Sequence, residues 1–269
     1  MKKAGMVGCT ACHTPLPSTT KISALGGSNF HDPSLYRSVI GSLQYLTITR
    51  PEISFCVNKL AQFFQSPLDS HWKMVKRVLR YLNGTASYGL HLKKDSEMNI
   101  AMKITAYSDS DWAGDPDDRE STTGYCVFLG SNLVSWASKK QTAVARSSTE
   151  AEYRSMAETV AELVWIRNLM AELKLAISEA PVVYCDNLSA VLLAANPILH
   201  SKSKHFKIDL HFVRDHVTNK EIQVSHIPGA TQVADIFTKA IPSETFLHFR
   251  TRLNICDQQA VASTPERKN

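Results

Sequence analysis

Residues 104–114 read ITAYSDSDWAG. Five strand-compatible residues, Ile104 to Ser108, carry two aspartates, Asp109 and Asp111, to the end of the run. A polar loop, DPDDRE at 115–120, follows. A strand that ends in a carboxylate and then turns is a recurring way to hold a divalent cation: the sheet fixes the backbone, and its mouth presents the side chain. A single aspartate at such a junction is more often ordinary turn chemistry. Three further carboxylates at comparable points downstream change that reading.

After the opening strand come TTGYCVFLG (122–130) and LVSWAS (133–138), two β-rich runs joined around Ser131-Asn132 as a hairpin. SSTE then opens a long helix over about 149–174. A buried strand, PVVYCD (181–186), leads to a short helix ending at Asn196-Pro197, and another helix covers 206–218. The strand EIQVSHI (221–227) reaches Pro228-Gly229, a helix starts near Gln232, and ETFLHFRTRL (244–253) is the last amphipathic segment. Strands joined by hairpins are antiparallel, and strands joined through helices tend to be parallel. The order predicts an α/β fold, a mixed five-stranded sheet with flanking helices. Its first and fourth strands lie side by side, their C-terminal ends at one mouth.

Upstream, residues 1–35 are Gly-, Pro-, Ser- and Thr-rich and read as loop. Helical patterning begins near Tyr36, restarts at Pro51 and runs to Ser66-Pro67; a third helix, HWKMVKRVLRYL at 71–82, closes at Asn83-Gly84. Residues 85–98 alternate weakly and read as a short strand pair. In the third helix Trp72, Val75, Leu79 and Leu82 form an apolar stripe. Lys73, Lys76, Arg77 and Arg80 gather on a different face, a candidate row for a phosphate backbone. These signals divide the chain into a loop-rich 1–35, a small helical unit 36–98, an α/β domain 99–255 and a polar tail 256–269.

At 269 residues, 43% hydrophobic and 20% charged, the composition is that of a folded globular chain. No apolar stretch approaches a membrane span, and the N-terminus lacks the apolar core of a secretory leader, so the chain is expected inside the cell, cytoplasmic or nuclear. The net charge of +5 permits a polyanionic partner without demanding one. Six cysteines are scattered as in a reduced chain. CTACH at 9–13 has the spacing of a haem attachment motif, but without export or a second ligand pair it reads as loop.

The long helix offers two acids. Met156, Val160, Leu163 and Met170 lie four, eight, eleven and eighteen residues after Glu152, on its side of the helix. Glu150 lies roughly 200° from Glu152 at about 100° per residue. Glu152 therefore faces the sheet, where a carboxylate needs a partner. Asp186 ends the buried strand, and Asp235 falls in the first turn after PGATQVA. On the first strand Asp109 and Asp111 share a face, so strand parity alone leaves that choice open. Asp109, Glu152, Asp186 and Asp235 make an all-oxygen set suited to Mg²⁺ or Mn²⁺. Two such ions about 4 Å apart serve phosphodiester displacement.

YSDSDWAGD, STTGYCVFLG, VSWASKKQ, SSTEAEYRSMA, VYCDN, KHFKIDLHFVRD and ADIFTK, in that order, resemble the ribonuclease H region of copia-type retrotransposon Pol polyproteins. Upstream, YRSVIGSLQYLTITRPEISFCVNKLAQF and HWKMVKRVLRYLNGT are similar to the thumb and connection of the same reverse transcriptases. The resemblance covers about 4–255. It implies a ribonuclease H-like fold preceded by a thumb/connection unit, with 1–35 a remnant of the palm edge. It also implies endonucleolytic hydrolysis of the RNA strand of RNA–DNA hybrids, with two Mg²⁺ or Mn²⁺ ions as cofactors. The four acids fall on Asp109, Glu152, Asp186 and Asp235, so Asp109 is preferred to Asp111. The Tyr-x-Asp-Asp motif of the polymerase is missing, and the only Asp-Asp, Asp117-Asp118, lies in the polar loop. The chain is therefore expected to begin after the palm site and not to polymerise DNA, with the remaining palm/fingers region as a partner. The loop before the last acid is short, and His226 reads as a strand residue, not as a mobile histidine. The competing readings are a silent remnant that only binds nucleic acid, and an integrase-type nuclease. The order of Glu152 before Asp186 argues against the integrase.

Overall fold

The computed structural model describes residues 1–94, 102–177, 179–196 and 206–259. The chain divides into two units, Met1–Leu92 with the stretch from Lys239 on, and Lys93–Thr238. The polar tail from 260 on lies outside the described residues, as do 95–98 of the weakly alternating segment.

In the first unit, helix α1 (Pro33–Leu46) starts one turn before the sequence reading, because Asp32 caps it. The Asp32 carboxylate accepts the Leu35 N–H at 2.8 Å and proline takes the first turn. A 3₁₀ turn, Pro51–Ile53, precedes α2 (Ser54–Ala61), and α3 spans Asp69–Gly84. The expected stripe is the buried face of α3: Trp72, Val75 and Leu79 are buried, with Leu82 half-buried. Trp72 stacks on Phe30 at 4.7 Å. The N-terminal segment runs along the same helix. Asn83 donates to the Cys9 carbonyl at 2.8 Å, and a Cβ on Gly84 would stand 2.7 Å from that of Ala11. The Asn-Gly that ends α3 is thus also a contact surface for the CTACH loop.

Two expectations change here. Among the described residues, strand β1 (Tyr88–Leu90) has no partner in a local hairpin. It pairs antiparallel with β7 (Ile255–Asp257), Tyr88 opposite Asp257. Helix α7 (Ser243–Arg252), read from sequence as part of the α/β domain, groups with the helical unit. The cause is a buried polar network. Arg50 and Glu52 form an ion pair at 2.7 Å with both side chains out of solvent. Arg50 also donates to the Thr85 carbonyl, the Tyr81 hydroxyl donates to Glu52, and Arg250 of α7 donates to Tyr81. Phe246 packs edge-on against Tyr81 at 5.6 Å. Buried charges persist only when paired and hydrogen-bonded, so the network fixes which segments may close around it.

The second unit holds the sheet: β2 (Ile104–Asp111), β3 (Thr122–Leu129), β4 (Asn132–Lys140), β5 (Val182–Cys185) and β6 (Gln223–His226), in the order β4-β3-β2-β5-β6. The first three strands are antiparallel, and β5 and β6 are parallel to β2 and to each other. This is the mixed five-stranded arrangement with flanking helices read from sequence. The hairpin turns at Gly130-Ser131, one residue earlier than read. Gly130 has φ 60°, the left-handed conformation that glycine adopts without strain.

Helix α4 (Ser148–Glu172) covers one face of the sheet, with α5 (Leu188–Ala195) and α6 (Lys207–Thr218) beside it. Met156, Val160 and Leu163 are fully buried in the same core as Ile104, Ala106, Val183 and Cys185. Each of those three α4 side chains stabilises the unit by about 1.5–3 kcal/mol on leaving water. The helix expected near Gln232 is a 3₁₀ turn, Val233–Phe237. Three of the four acids of the polar loop are absorbed structurally: Lys140 lies 2.7 Å from Asp115 and 3.6 Å from Glu120, and also pairs with Asp118. Burial disfavours the Lys140 cation, but its bonds to Asp115 and Asp118 outweigh this and raise its pKa above the ordinary value. Among the described residues no helix is long and apolar enough to cross a membrane.

Candidate metal centre

The acids converge at one end of the sheet, delivered by four elements. Strand alternation places Tyr107 and Asp109 on one face of β2. Tyr107 pairs in register with Tyr184 on β5, their ring centroids 5.3 Å apart. Two residues on, the same face continues as Asp109 and Asp186. Ser108 points the other way, toward α4, where its hydroxyl donates to Ser155 at 3.1 Å. Ser155 in turn donates to the Asp109 carbonyl at 2.7 Å. Asp235 comes from the 3₁₀ turn. That turn is tied down by Gln232, whose side chain donates to the Ser108 carbonyl at 2.9 Å and accepts from the Ala234 N–H at 3.3 Å.

One carboxylate oxygen from each of Asp109, Asp186 and Asp235 lies within 4.8 Å of the others. A second group, Glu152, Cys185 and Asp186, meets the same limit, so Asp186 joins all four acids into one cluster. Asp111 belongs to neither group; a Cβ on Gly114 would fall 1.7 Å from its Oδ2, so its carboxylate lies over that turn. Asp109 and Glu152 are buried, Asp186 and Asp235 half-buried, so the cluster is approached from the side of the last two. Carboxylates this close repel unless they take up a proton or share a cation. Their donor set is hard oxygen, which fits a divalent ion of the Mg²⁺ or Mn²⁺ kind. The Cys185 thiol donates to Glu152 at 3.7 Å; burial, then the Glu152 charge, pushes its pKa well above the ordinary thiol range.

Glu150 is not on a solvent face, although it points away from the sheet. It is buried, pairs with Arg154 at 2.8 Å and accepts the Arg146 N–H at 3.1 Å, while its own N–H is capped by Ser147. The two glutamates should therefore separate by assay. Glu152→Gln is expected to weaken cation binding and cleavage severely with little change in melting. Glu150→Gln is expected to lower melting by the roughly 0.5–2 kcal/mol of a helix-start contact and to leave cleavage nearly intact. Equal losses of cleavage would refute the separation.

His226 closes β6, and its Nε2 donates to the Asp186 carbonyl at 3.1 Å, steadying the backbone that carries this acid. Four contributors escaped the sequence reading: Gln232, Thr238, Gly124 and Cys185. Thr238 sits in ADIFTK and Gly124 in STTGY, but neither residue type signals chemistry by itself. On α3, Lys73 is exposed, whereas Lys76, Arg77 and Arg80 are half-buried. Arg77 donates to Thr14 at 3.0 Å, and Lys76 lies 5.9 Å from the Trp72 ring centre.

No family model matches the chain. It is 45% identical over 255 residues to the Retrovirus-related Pol polyprotein from transposon RE2 of Arabidopsis thaliana, covering 95% of this chain and 17% of that protein. The corresponding polyprotein from transposon RE1 of the same plant is 44% identical over the same shares. That from transposon TNT 1-94 of Nicotiana tabacum is 38% identical over 78% of this chain and 16% of that protein. Over nearly its whole length the chain matches one region of copia-type retrotransposon Pol polyproteins. This Pol region spans about a sixth of the length of those polyproteins. Among solved structures it is similar to LC11-RNase H1, isolated from compost, at 18% identity and a TM-score of 0.38, covering 51% of this chain and 92% of that one. A foamy viral protease-reverse transcriptase in complex with RNA/DNA hybrid matches at 12% identity and a TM-score of 0.40, over 81% of this chain and 27% of that one.

Proposed function

We propose that this Pol region is a metal-dependent endonuclease that hydrolyses the RNA strand of RNA–DNA hybrids. The observation that carries the reading is the convergence of Asp109, Asp186 and Asp235 within 4.8 Å, joined to Glu152 through Asp186. In this reading the four carboxylates are the ligands for two Mg²⁺ or Mn²⁺ ions. When bound, the ions supply Lewis acidity toward the phosphodiester and an activated water. The chain supplies the geometry. The sheet fixes Asp109 and Asp186, the buried face of α4 fixes Glu152, and the Gln232 anchor fixes the turn of Asp235. Unneutralised, the cluster would repel a phosphate backbone, so cation binding comes before substrate capture.

The helical unit is read as the thumb and connection, and its basic row as a phosphate track. Removing Lys73, Lys76 and Arg80 together should lower the salt slope of hybrid binding by about one unit or less per charge. Arg77→Ala should add a loss of stability, because its guanidinium also holds Thr14. An unchanged slope would make the row a solvated face.

The direct test is incubation of the purified chain with a labelled hybrid, with Mg²⁺ and then with EDTA. Cleavage of the RNA strand that EDTA stops is the expected result. Binding without cleavage would make the chain a silent remnant that only holds nucleic acid.

A further inference from the structure

We propose that Thr238 is the positioning residue that sets Asp109 for cation capture; the proposal rests on the metal-centre reading above. Thr238 is fully buried and follows the turn that carries Asp235. Its hydroxyl donates to Asp109 Oδ2 and lies 3.2 Å from the Asp235 carbonyl oxygen. A hydroxyl has one proton, and the shorter, charge-assisted contact to the carboxylate takes it. The Thr238 N–H separately donates to the Asp235 carbonyl at 3.2 Å. One residue thus couples the acid of the first strand to the acid of the last turn.

Room for that contact is made on β3. Asp109 stands opposite Gly124 in the antiparallel register, and residues directly opposite project from the same face. A Cβ on Gly124 would lie 2.5 Å from the Thr238 methyl and 2.9 Å from the Phe237 Cβ. The missing side chain of Gly124 is the space in which Thr238 reaches Asp109. At its other end the turn is held by Gln232 on the Ser108 carbonyl, so two consecutive strand residues anchor it.

The chemical consequence is orientation. The terminal torsion of an aspartate is broad, and a hydrogen bond to one oxygen selects one setting. With Oδ2 engaged, Asp109 presents its remaining lone pairs to the cluster without first paying to order itself. Partners of this kind typically govern metal affinity by about 10–100-fold.

The test uses the full chain and Mn²⁺ alone as probe, with free ion followed by electron paramagnetic resonance, beside thermal melting and hybrid cleavage. Thr238→Val keeps the shape and removes the hydroxyl; Thr238→Ser keeps the hydroxyl. Thr238→Val is expected to weaken Mn²⁺ binding by about 10–100-fold, and Thr238→Ser to retain wild-type affinity. Should Thr238→Val fail to fold, Thr238→Ala carries the same expectation. Wild-type affinity in the hydroxyl-free variant overturns the role of Thr238 and leaves the metal-centre reading standing. A wild-type chain that takes up no Mn²⁺ overturns both.

Discussion

Asp109→Asn and Asp186→Asn are each expected to abolish cleavage of the RNA strand while the chain remains folded. The substitution is nearly isosteric, so packing around β2 and β5 is kept. What is lost is one negative ligand from a cluster whose oxygens lie within 4.8 Å of one another. The loss should exceed the roughly 10–100-fold that follows removal of an outer partner, because a direct ligand is removed. Stability supplies a second readout with a defined sign. Without a cation the crowded carboxylates repel, so either asparagine variant should melt no lower than wild type in EDTA. Added Mn²⁺ should raise the melting temperature of wild type, because the ion binds only the folded cluster, and should raise that of the variants less. Wild-type turnover in both variants would sink the assignment of these acids.

How much of this was legible in the sequence depends on the range of the signal. Strand β2 and the sheet-facing row of α4 were readable because alternation and the helical repeat are local, and burial follows them directly. Glu152 was singled out by the residues spaced along its own helix. The burial of Glu150 did not follow from its angle to Glu152, because facing away from the sheet is not the same as facing water. The four-residue spacing to Arg154, which buries it, was present in the sequence and went unread. The pairing of β1 with β7 left no signal: three residues are too few to show alternation, and their partners lie more than 160 positions away. The turn Val233–Phe237 was read as the start of a helix because a short apolar run does not distinguish 3₁₀ from α geometry. Thr238 was invisible for a different reason, since its partner Asp109 lies 129 residues earlier and a threonine is unremarkable by composition.

Gly124→Ala is expected to damage the fold and the metal centre together, and the size of the competing effects decides the sign. Replacing glycine by alanine inside a strand should by itself gain about 0.5–1 kcal/mol from reduced backbone entropy. Against that, the new methyl would stand 2.5 Å from the Thr238 methyl, 2.9 Å from the Phe237 Cβ and 3.1 Å from the Phe237 carbonyl carbon. Thr238 and Phe237 are both fully buried, and one of the contacts is backbone, so neither neighbour can swing aside. Overpacking of this kind costs about 1–3 kcal/mol, which exceeds the gain. The relief available is for the turn to lift off β3, taking Asp235 and the Thr238 hydroxyl with it. A shift of about 1 Å at a catalytic constellation can cost on the order of 10²-fold in rate. Gly41 in α1 is the control: a Cβ there meets nothing within 4 Å, so Gly41→Ala should stabilise. Thr238→Ser removes the methyl at 2.5 Å and keeps the hydroxyl. In the Gly124→Ala background it should therefore restore part of the lost melting temperature and part of the Mn²⁺ affinity. Strict additivity of the two substitutions, in melting and in Mn²⁺ binding alike, would show that Gly124 and Thr238 do not share the space that this geometry gives them.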